Sequence, residues 1–474
     1  MIYTPLLTDF YQLTMAYGYW KLNLHEREAA FHLIFRKNPF EGNYAVACGL
    51  GSVIDFLMSW RFHSDDLAYL ATLANNHGEP LFPHRFLDYL ADLNFSCDID
   101  AVPEGTVIFA NEPLLRIQGP ILQCQLIETA LLNTINFQTL IATKASRVYR
   151  AAEGLPIIEF GMRRAQGPDG AVSASRAAYI GGCTATSNTM AGKLFGIPVR
   201  GTHAHSWVTA FASEKEAFAA YADVMPHNCT LLVDTYNTIK GVKNAIETGK
   251  KLRASGADLL GIRLDSGDMA ELSVKARKLL DEAGFDKTEI IASNSLDEYV
   301  IRDLKQHQAK ISSFGVGTNL VTAYDHPALD GVYKLSAMQD AAGQWIHKLK
   351  LSEQEVKISN PGRHQIRRFF CDEQYVMDVI YDIDLGISDL PEVVVLDKSL
   401  AQKSLDDYDG FVDLLKPILR AGEVVEQGED IHTIREQAIN AVQHFHHTHG
   451  EATYCVALEK RLFELKRDLI EKLR

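Results

Sequence analysis

From about residue 155 the chain settles into a rhythm that few folds accommodate. Brief apolar runs recur, each closed by a polar or glycine-containing turn and followed by a stretch of helical periodicity. The runs are PIIEF (156–160), IPVRGT (197–202), TLLVDT (230–235), LLGIRLDS (259–266), EIIASN (289–294) and ISSFGVGTN (311–319), with VYKLSAM (332–338) a later candidate. Strands that alternate with helices imply a parallel sheet, because parallel neighbours need a crossover long enough to hold a helix. With this many units a closed or nearly closed α/β barrel is favoured over an open, doubly wound sheet.

The rest of the 474 residues has a different texture. Residues 29–120 mix apolar runs (AAFHLIF, YAVACG) with a helical GSVIDFLMSW, and AVPEGTVIFANEPLLRIQGP (101–120) alternates turn residues with β-formers as a hairpin does. Residues 121–153 carry apolar positions at helical spacing, as one or two long helices. Residues 345–400 return to β-like alternation, and 405–474 read as largely helical. The expected organisation is an N-terminal α/β domain over 1–150, a barrel over 151–340, and a C-terminal appendage over 341–474 that packs on the first domain.

Composition removes several function classes. Lys and Arg number 47 against 61 Asp and Glu, a net charge of −14, which disfavours general affinity for nucleic acid or anionic lipid while leaving room for a local basic pocket. No window approaches 18 uninterrupted apolar residues, so no membrane span is expected. The seven cysteines are scattered and lack CxxC spacing, which supports neither a disulfide framework nor a zinc ribbon. The opening MIYTPLLTDFYQ has no basic segment followed by an apolar one. A reducing, cytoplasmic setting is the expectation.

In a parallel α/β barrel the chemistry gathers where strands exit, so the residues just past each run are informative. They are Glu159, Phe160, Arg163 and Arg164; Thr202, His203 and His205; Asp234 and Thr235; Arg263, Asp265 and Ser266; Ser293 and Asn294; and Gly315, Gly317 and Thr318. Arginines, small hydroxyls, glycines and carboxylates at one end of successive strands suit a phosphorylated sugar with a metal-bound diphosphate. Taken singly each has a plain reading as well, the glycine-rich loop as a tight turn and the Arg pair as a solvated one. LLVDTYNT lacks the second acid and the trailing glycine-rich loop of a type I phosphoribosyltransferase. The HxH of His203 and His205 has no clear third metal ligand nearby. In HFHHTH, His444 and His447 share a helix face, and a solvated helix end accounts for the cluster.

Together these segments resemble the nicotinate phosphoribosyltransferase family, type II phosphoribosyltransferases of NAD salvage. The resemblance rests on LLTDFYQLTMAYGYW (6–20), EFGMRRAQGPDG (159–170), GGCTATSNTMAG (181–192), GTHAHSW (201–207), GIRLDSGD (261–268), ASNSLDE (292–298), FGVGTNL (314–320) and KLSE…PG within 349–362, in that order. It implies an irregular α/β barrel joined to an N-terminal α/β domain. The implied reaction joins nicotinate to 5-phosphoribosyl 1-diphosphate, giving nicotinate mononucleotide and diphosphate, with ATP as co-substrate and Mg²⁺ on the diphosphate. The metal ligands are left open.

The resemblance also assigns roles. It implies His205 as the residue transiently phosphorylated by ATP, which an imidazole of near-neutral pKa can chemically accept. The phosphoryl charge would then stand beside Arg163 and Arg263. Tyr11 and Phe160 correspond to an aromatic pair around the pyridine ring, and Thr202 and Arg263 to residues that orient nicotinate. Arg163, Ser293, Asn294, Gly317 and Thr318 correspond to phosphate and ribose contacts, with Asp234 and Asp265 the acids around the ribose. Tyr11 lies in a segment that reaches the neighbouring subunit's site in the family, which implies a homodimer with shared active sites. The alternatives are a nicotinamide-preferring relative, against which Asn188 in place of an aspartate counts, a quinolinate enzyme, and a barrel that only binds.

Overall fold

A computed structural model describes residues 4–353, 358–396, 400–425, 428–450 and 452–474. Part of the KLSE…PG segment, residues 354–357, lies outside the described residues. Contacts divide the chain into two units, Ile141–Pro327 and a second built from Met1–Leu140 with Ala328–Arg474.

The central unit holds a six-stranded parallel sheet. Its strands are β1 (Ile157–Glu159), β2 (Ala185–Thr186), β3 (Thr230–Leu232), β4 (Gly261–Leu264), β5 (Glu289–Ser293) and β6 (Ser313–Val316), in the order β2-β1-β6-β5-β4-β3. The strands are short and nearly all buried, as expected where helices cover a parallel sheet. Helix α1 (Glu128–Ala152) leads into β1. It is followed by α2 (Pro168–Ile180), α3 (Thr189–Phe195), α4 (His205–Thr209), α5 (Glu214–Val224), α6 (Thr238–Ala254), α7 (Met269–Glu282), α8 (Glu298–Gln306) and α9 (Thr318–Val321). Polar residues just past the strands start several of these helices. Asn188, Asn237, Asp268 and Asp297 each accept hydrogen bonds from backbone N–H groups of the first turn that would otherwise lack a partner.

Two of the expected strands behave otherwise. IPVRGT contributes only a single parallel bridge, Val199 to Thr186, and the sheet place falls to Ala185–Thr186 inside GGCTATSNTMAG. Pro198 cannot donate to a ladder, which leaves that run one residue to pair. VYKLSAM does not join the parallel sheet. It forms Val332–Gln339, antiparallel to Glu28–Ile34 in the other unit, and its half-exposed burial is that of a one-sided strand.

That second unit contains a seven-stranded antiparallel sheet, in the order Trp345–His347, Val332–Gln339, Glu28–Ile34, Pro113–Pro120, Asp98–Ala101, Lys416–Arg420, Glu423–Val424. A six-stranded mixed sheet pairs His364–Cys371 with Gln374–Asp382, beside which Val456–Glu459 runs parallel. The helical expectation for 405–474 holds only in part: Gly410–Asp413, Lys416–Arg420, Glu423–Val424 and Val456–Glu459 are strands, and among the described residues the helices are Ile431–His449 and Lys460–Leu473. Among the described residues no helix is long and apolar enough to cross a membrane.

Candidate active site

The C-terminal ends of β4 and β5 and the segment carrying Thr202 meet around one guanidinium. Arg263, on β4, donates from Nε to Ser293 Oγ at 2.8 Å, from Nη1 to Thr202 Oγ1 at 3.2 Å and from Nη2 to Asp265 Oδ1 at 2.8 Å. Three of its five N–H groups are thereby fixed and two remain for a ligand. The guanidinium carbon lies 5.3 Å from the centre of the Phe160 ring, and Phe160 itself is tied to β6 by its backbone N–H to Val316 O at 2.8 Å. Gly315 makes this ring position attainable, since a Cβ there would fall 2.5 Å from a ring carbon.

Asp265 is the second node. Its Oδ1 also accepts from Ser293 Oγ at 2.5 Å, and its backbone N–H donates to Asp234 Oδ2 at 2.7 Å. Burial alone pushes the Asp265 carboxyl up, but the Ser293 hydroxyl and the Arg263 charge outweigh it and hold the group below the usual carboxylate range. Asp234 Oδ2 takes a further bond from Ser266 Oγ at 2.7 Å, while its buried Oδ1 has no hydrogen-bond partner. His205 opens α4 with its Nδ1 3.1 Å from Thr235 Oγ1, and directs Nε2 toward Asp265 Oδ2 at 3.7 Å and Asp234 Oδ1 at 4.0 Å. Its side chain is 44% exposed, so the ring is reachable.

The HxH pair is split by this geometry. His203 is buried and accepts the Leu232 N–H on Nε2 at 3.2 Å; burial, with the charges of Arg263 and His205, pushes its pKa down. His203 is a neutral structural imidazole, and His205 alone faces the acids. Arg163 is exposed in the turn Met162–Arg164, Arg263 is engaged with the other oxygen of Asp265, and the charges facing Nε2 are carboxylates.

Of the other sequence candidates, Asn294 and Thr318 are exposed at the exits of β5 and β6, and Gly317 precedes α9. Tyr11 lies in the other unit on the helix Phe10–Lys21, 49% exposed. Asn188 is fully buried: its Oδ1 caps α3, and its Nδ2 donates to Ala171 O at 3.3 Å and Ser175 Oγ at 3.1 Å. Its amide is thus fully engaged within the protein. The family resemblance assigns no role to Glu159. It is inaccessible to solvent and accepts from the Gly161 backbone, from Ser175 Oγ at 2.8 Å and from Thr186 Oγ1 at 2.6 Å, fixing the turn that carries Phe160. An acid closing an apolar strand, where burial forces it to find donors, was the available signal.

A parallel α/β sheet that delivers an arginine, an accessible histidine and two acids to one end defines an α/β enzyme suited to anionic substrates. Comparison with known proteins narrows this. The model of the nicotinate phosphoribosyltransferase N-terminal domain matches residues 6–136, and that of the nicotinate phosphoribosyltransferase family matches 155–353. The nicotinate phosphoribosyltransferase of Bacillus subtilis (strain 168) is 47% identical over 364 residues, 77% of this chain and 72% of that protein. That of Caenorhabditis elegans is 35% identical, covering 98% of this chain and 93% of its own. The crystal structure of human nicotinic acid phosphoribosyltransferase superposes with a TM-score of 0.85 over 98% of this chain and 99% of the human one, at 29% identity. The chain belongs to the nicotinate phosphoribosyltransferase family.

Proposed function

We propose that the chain transfers the 5-phosphoribosyl group from its diphosphate to the ring nitrogen of nicotinate, forming nicotinate mononucleotide in the cytoplasm as part of NAD salvage. The observation that carries this reading is Arg263, a guanidinium with two uncommitted N–H groups beside an aromatic face, which matches a carboxylate on an aromatic ring. Phe160 supplies one face for the pyridine, and Thr202 supports the arginine. Tyr11 supplies the other face from a neighbouring subunit, so the active form is a homodimer with shared sites. The parallel sheet is taken as the wall of an irregular α/β barrel of the type II phosphoribosyltransferase kind within Ile141–Pro327, narrower than the expected 151–340 at its C-terminal end because Val332–Gln339 belongs to the other unit, which holds the N-terminal domain and its C-terminal appendage.

Breaking the C1–O bond places positive charge on the ribose, which the ionised Asp265 and its neighbour Asp234 offset by fixed negative charge. The residues fit a magnesium ion: Asp234 Oδ1 is a buried carboxylate oxygen without a partner and Asp265 Oδ2 faces the same side, both hard oxygen donors. No group of three His, Cys, Asp or Glu side chains among the described residues completes a ligand set, which leaves the other positions to substrate oxygens and water. When bound, the ion neutralises the departing diphosphate. Ser293, Asn294, Gly317, Thr318 and Arg163 hold the ribose and phosphates. ATP is a co-substrate that phosphorylates His205, whose Nε2 is the accessible nitrogen.

The test is phosphoribosyl transfer to nicotinate and to nicotinamide, each with and without ATP, for the native chain and for His205→Ala. Faster transfer to nicotinate, with ATP stimulation and ATP hydrolysis lost in the variant while slow transfer persists, is the expected outcome. ATP hydrolysis that stays in step with product in His205→Ala would remove the phosphohistidine from the scheme.

A further inference from the structure

Lys144 sits in the middle of α1, in the apolar stretch LIATKAS, with a side chain 1% exposed. Its ammonium lies 2.7 Å from Glu298 Oε2 and 2.7 Å from Asp325 Oδ1. One turn further along α1, Arg147 Nε donates to the other oxygen of Glu298 at 2.8 Å. These acids stand at two informative places. Glu298 opens α8, five residues past Ser293, at the end of the loop that contains Asn294. Asp325 closes the segment that follows Gly317, Thr318 and α9.

The loop after β5 is not relaxed. Asn294 and Ser295 have φ of 94° and 50°, in the left-handed region that residues with a Cβ adopt at a cost. Such a conformation persists only where its surroundings over-determine it. Asn319, in α9, donates from Nδ2 to Ser295 O at 3.2 Å, so the two loops hold one another as well as α1.

We propose that Lys144 is a positioning residue for the ribosyl diphosphate substrate, its buried ammonium joining Glu298 to Asp325 and thereby setting the spacing of the two loops that carry Ser293–Asn294 and Gly317–Thr318. The inference rests on the functional reading above, which gives those four residues the phosphates and ribose. A buried lysine between two acids also has a purely structural use, and the two differ in what they predict. A structural bridge alters stability and both substrates alike, whereas a spacing device alters the substrate whose charges span the two loops.

Asp325→Ala is the informative variant, because Asp325 is 37% exposed and its loss leaves Lys144 still paired with Glu298, so no uncompensated charge is buried. Lys144→Met is the harsher companion. Asp325→Ala is expected to raise KM for 5-phosphoribosyl 1-diphosphate by about tenfold while the KM for nicotinate stays within about twofold, since small misplacements of binding groups weigh heavily. In a folded Lys144→Met chain, adding Asp325→Ala should change nothing further, because the bridge is already gone. An unchanged diphosphate-substrate KM in Asp325→Ala, or a rise of both KM values together with a falling melting temperature, overturns the proposal. Affinity for inorganic diphosphate, measured by calorimetry without nicotinate, separates the two levels. If the native chain binds diphosphate but transfers nothing to nicotinate, the functional reading fails while a weakened diphosphate affinity in Asp325→Ala still supports the spacing role.

Discussion

Replacing Arg263 by alanine removes two things at once, and their sizes differ enough to be separated. The first is the uncommitted part of the guanidinium, which in the proposed reading meets the nicotinate carboxylate. One charge-assisted hydrogen bond is worth about 1.5–3 kcal/mol, which is about 10- to 150-fold in affinity. The second is the support of Asp265, which loses the Nη2 contact at 2.8 Å but keeps the Ser293 hydroxyl at 2.5 Å. A carboxyl held below its usual range with one donor left stays ionised near neutral pH, so the effect on the ribosyl side is the smaller one. Initial rates with both substrates varied should therefore show KM for nicotinate rising at least about tenfold more than KM for 5-phosphoribosyl 1-diphosphate. Preference for nicotinate over nicotinamide should collapse by a similar factor, because the amide has no charge for the arginine to meet. Lysine at this position should restore only part, since one ammonium cannot reach Ser293, Thr202, Asp265 and a carboxylate together. Equal rises in both KM values, or an unchanged acid-to-amide preference, would refute the assignment.

Subunit sharing predicts that Tyr11→Ala and His205→Ala chains, each lacking ATP-stimulated transfer, regain part of it when mixed, because one of the two sites in a heterodimer then has both residues intact. Mixed dimers that form without regaining ATP-stimulated transfer would sink that model. Gly315→Ala should displace the Phe160 ring, whose carbons lie 2.5 and 2.6 Å from the added Cβ, raising KM for nicotinate and costing about 1–3 kcal/mol of stability; in a Phe160→Ala background it should do neither. Stability should also fall on acidification. His32 and His364 are buried and stacked, with burial the main cause pushing both pKa values down, that of His364 to about 4. The unfolded chain binds protons at these sites near pH 6.5 and the folded one does not, so their contribution is present above pH 6.5 and is lost as pH falls toward 4, about 3 kcal/mol for His364 alone. A urea midpoint identical at pH 7 and pH 5 would contradict this.

The strands that carry charged exits were legible because each is a short, mostly apolar run that ends abruptly in polar residues. GIRLDSGD and EIIASN display Arg263, Asp265 and Ser293 at those ends, and the hydrogen bonds among them follow from adjacent strands in register. What stayed hidden was short or non-local. Ala185–Thr186 is two residues long within a run of small polar ones, too little for any period to register. Gly410–Asp413 and Lys416–Arg420 carry an acid, a proline and exposed side chains, and only their partners make them strands. Lys144 reads locally as one cation on a helix, and its acids stand more than 150 residues away in sequence. The role of His203 was equally non-local: nothing in GTHAHSW shows that the first histidine takes a backbone N–H from the next strand while the second does not.

The surroundings of His205 have an energetic consequence. Nε2 faces Asp265 Oδ2 at 3.7 Å and Asp234 Oδ1 at 4.0 Å, and a phosphoryl group there would add about two negative charges to a corner that already holds two acids. Like charges this close repel, so a phosphorylated His205 is disfavoured unless a counter-charge lies between them. The only guanidinium in this hydrogen-bonded cluster, Arg263, is already turned to the other oxygen of Asp265. A divalent cation shared with the substrate diphosphate is the counter-charge that the oxygen donors suit. On the proposed reading Asp234 and Asp265 would hold such a cation, and its charge would offset the repulsion between them and a phosphoryl group on His205. The two acids proposed to steady the ribose would thus also oppose a phosphoryl group on His205 and favour its discharge.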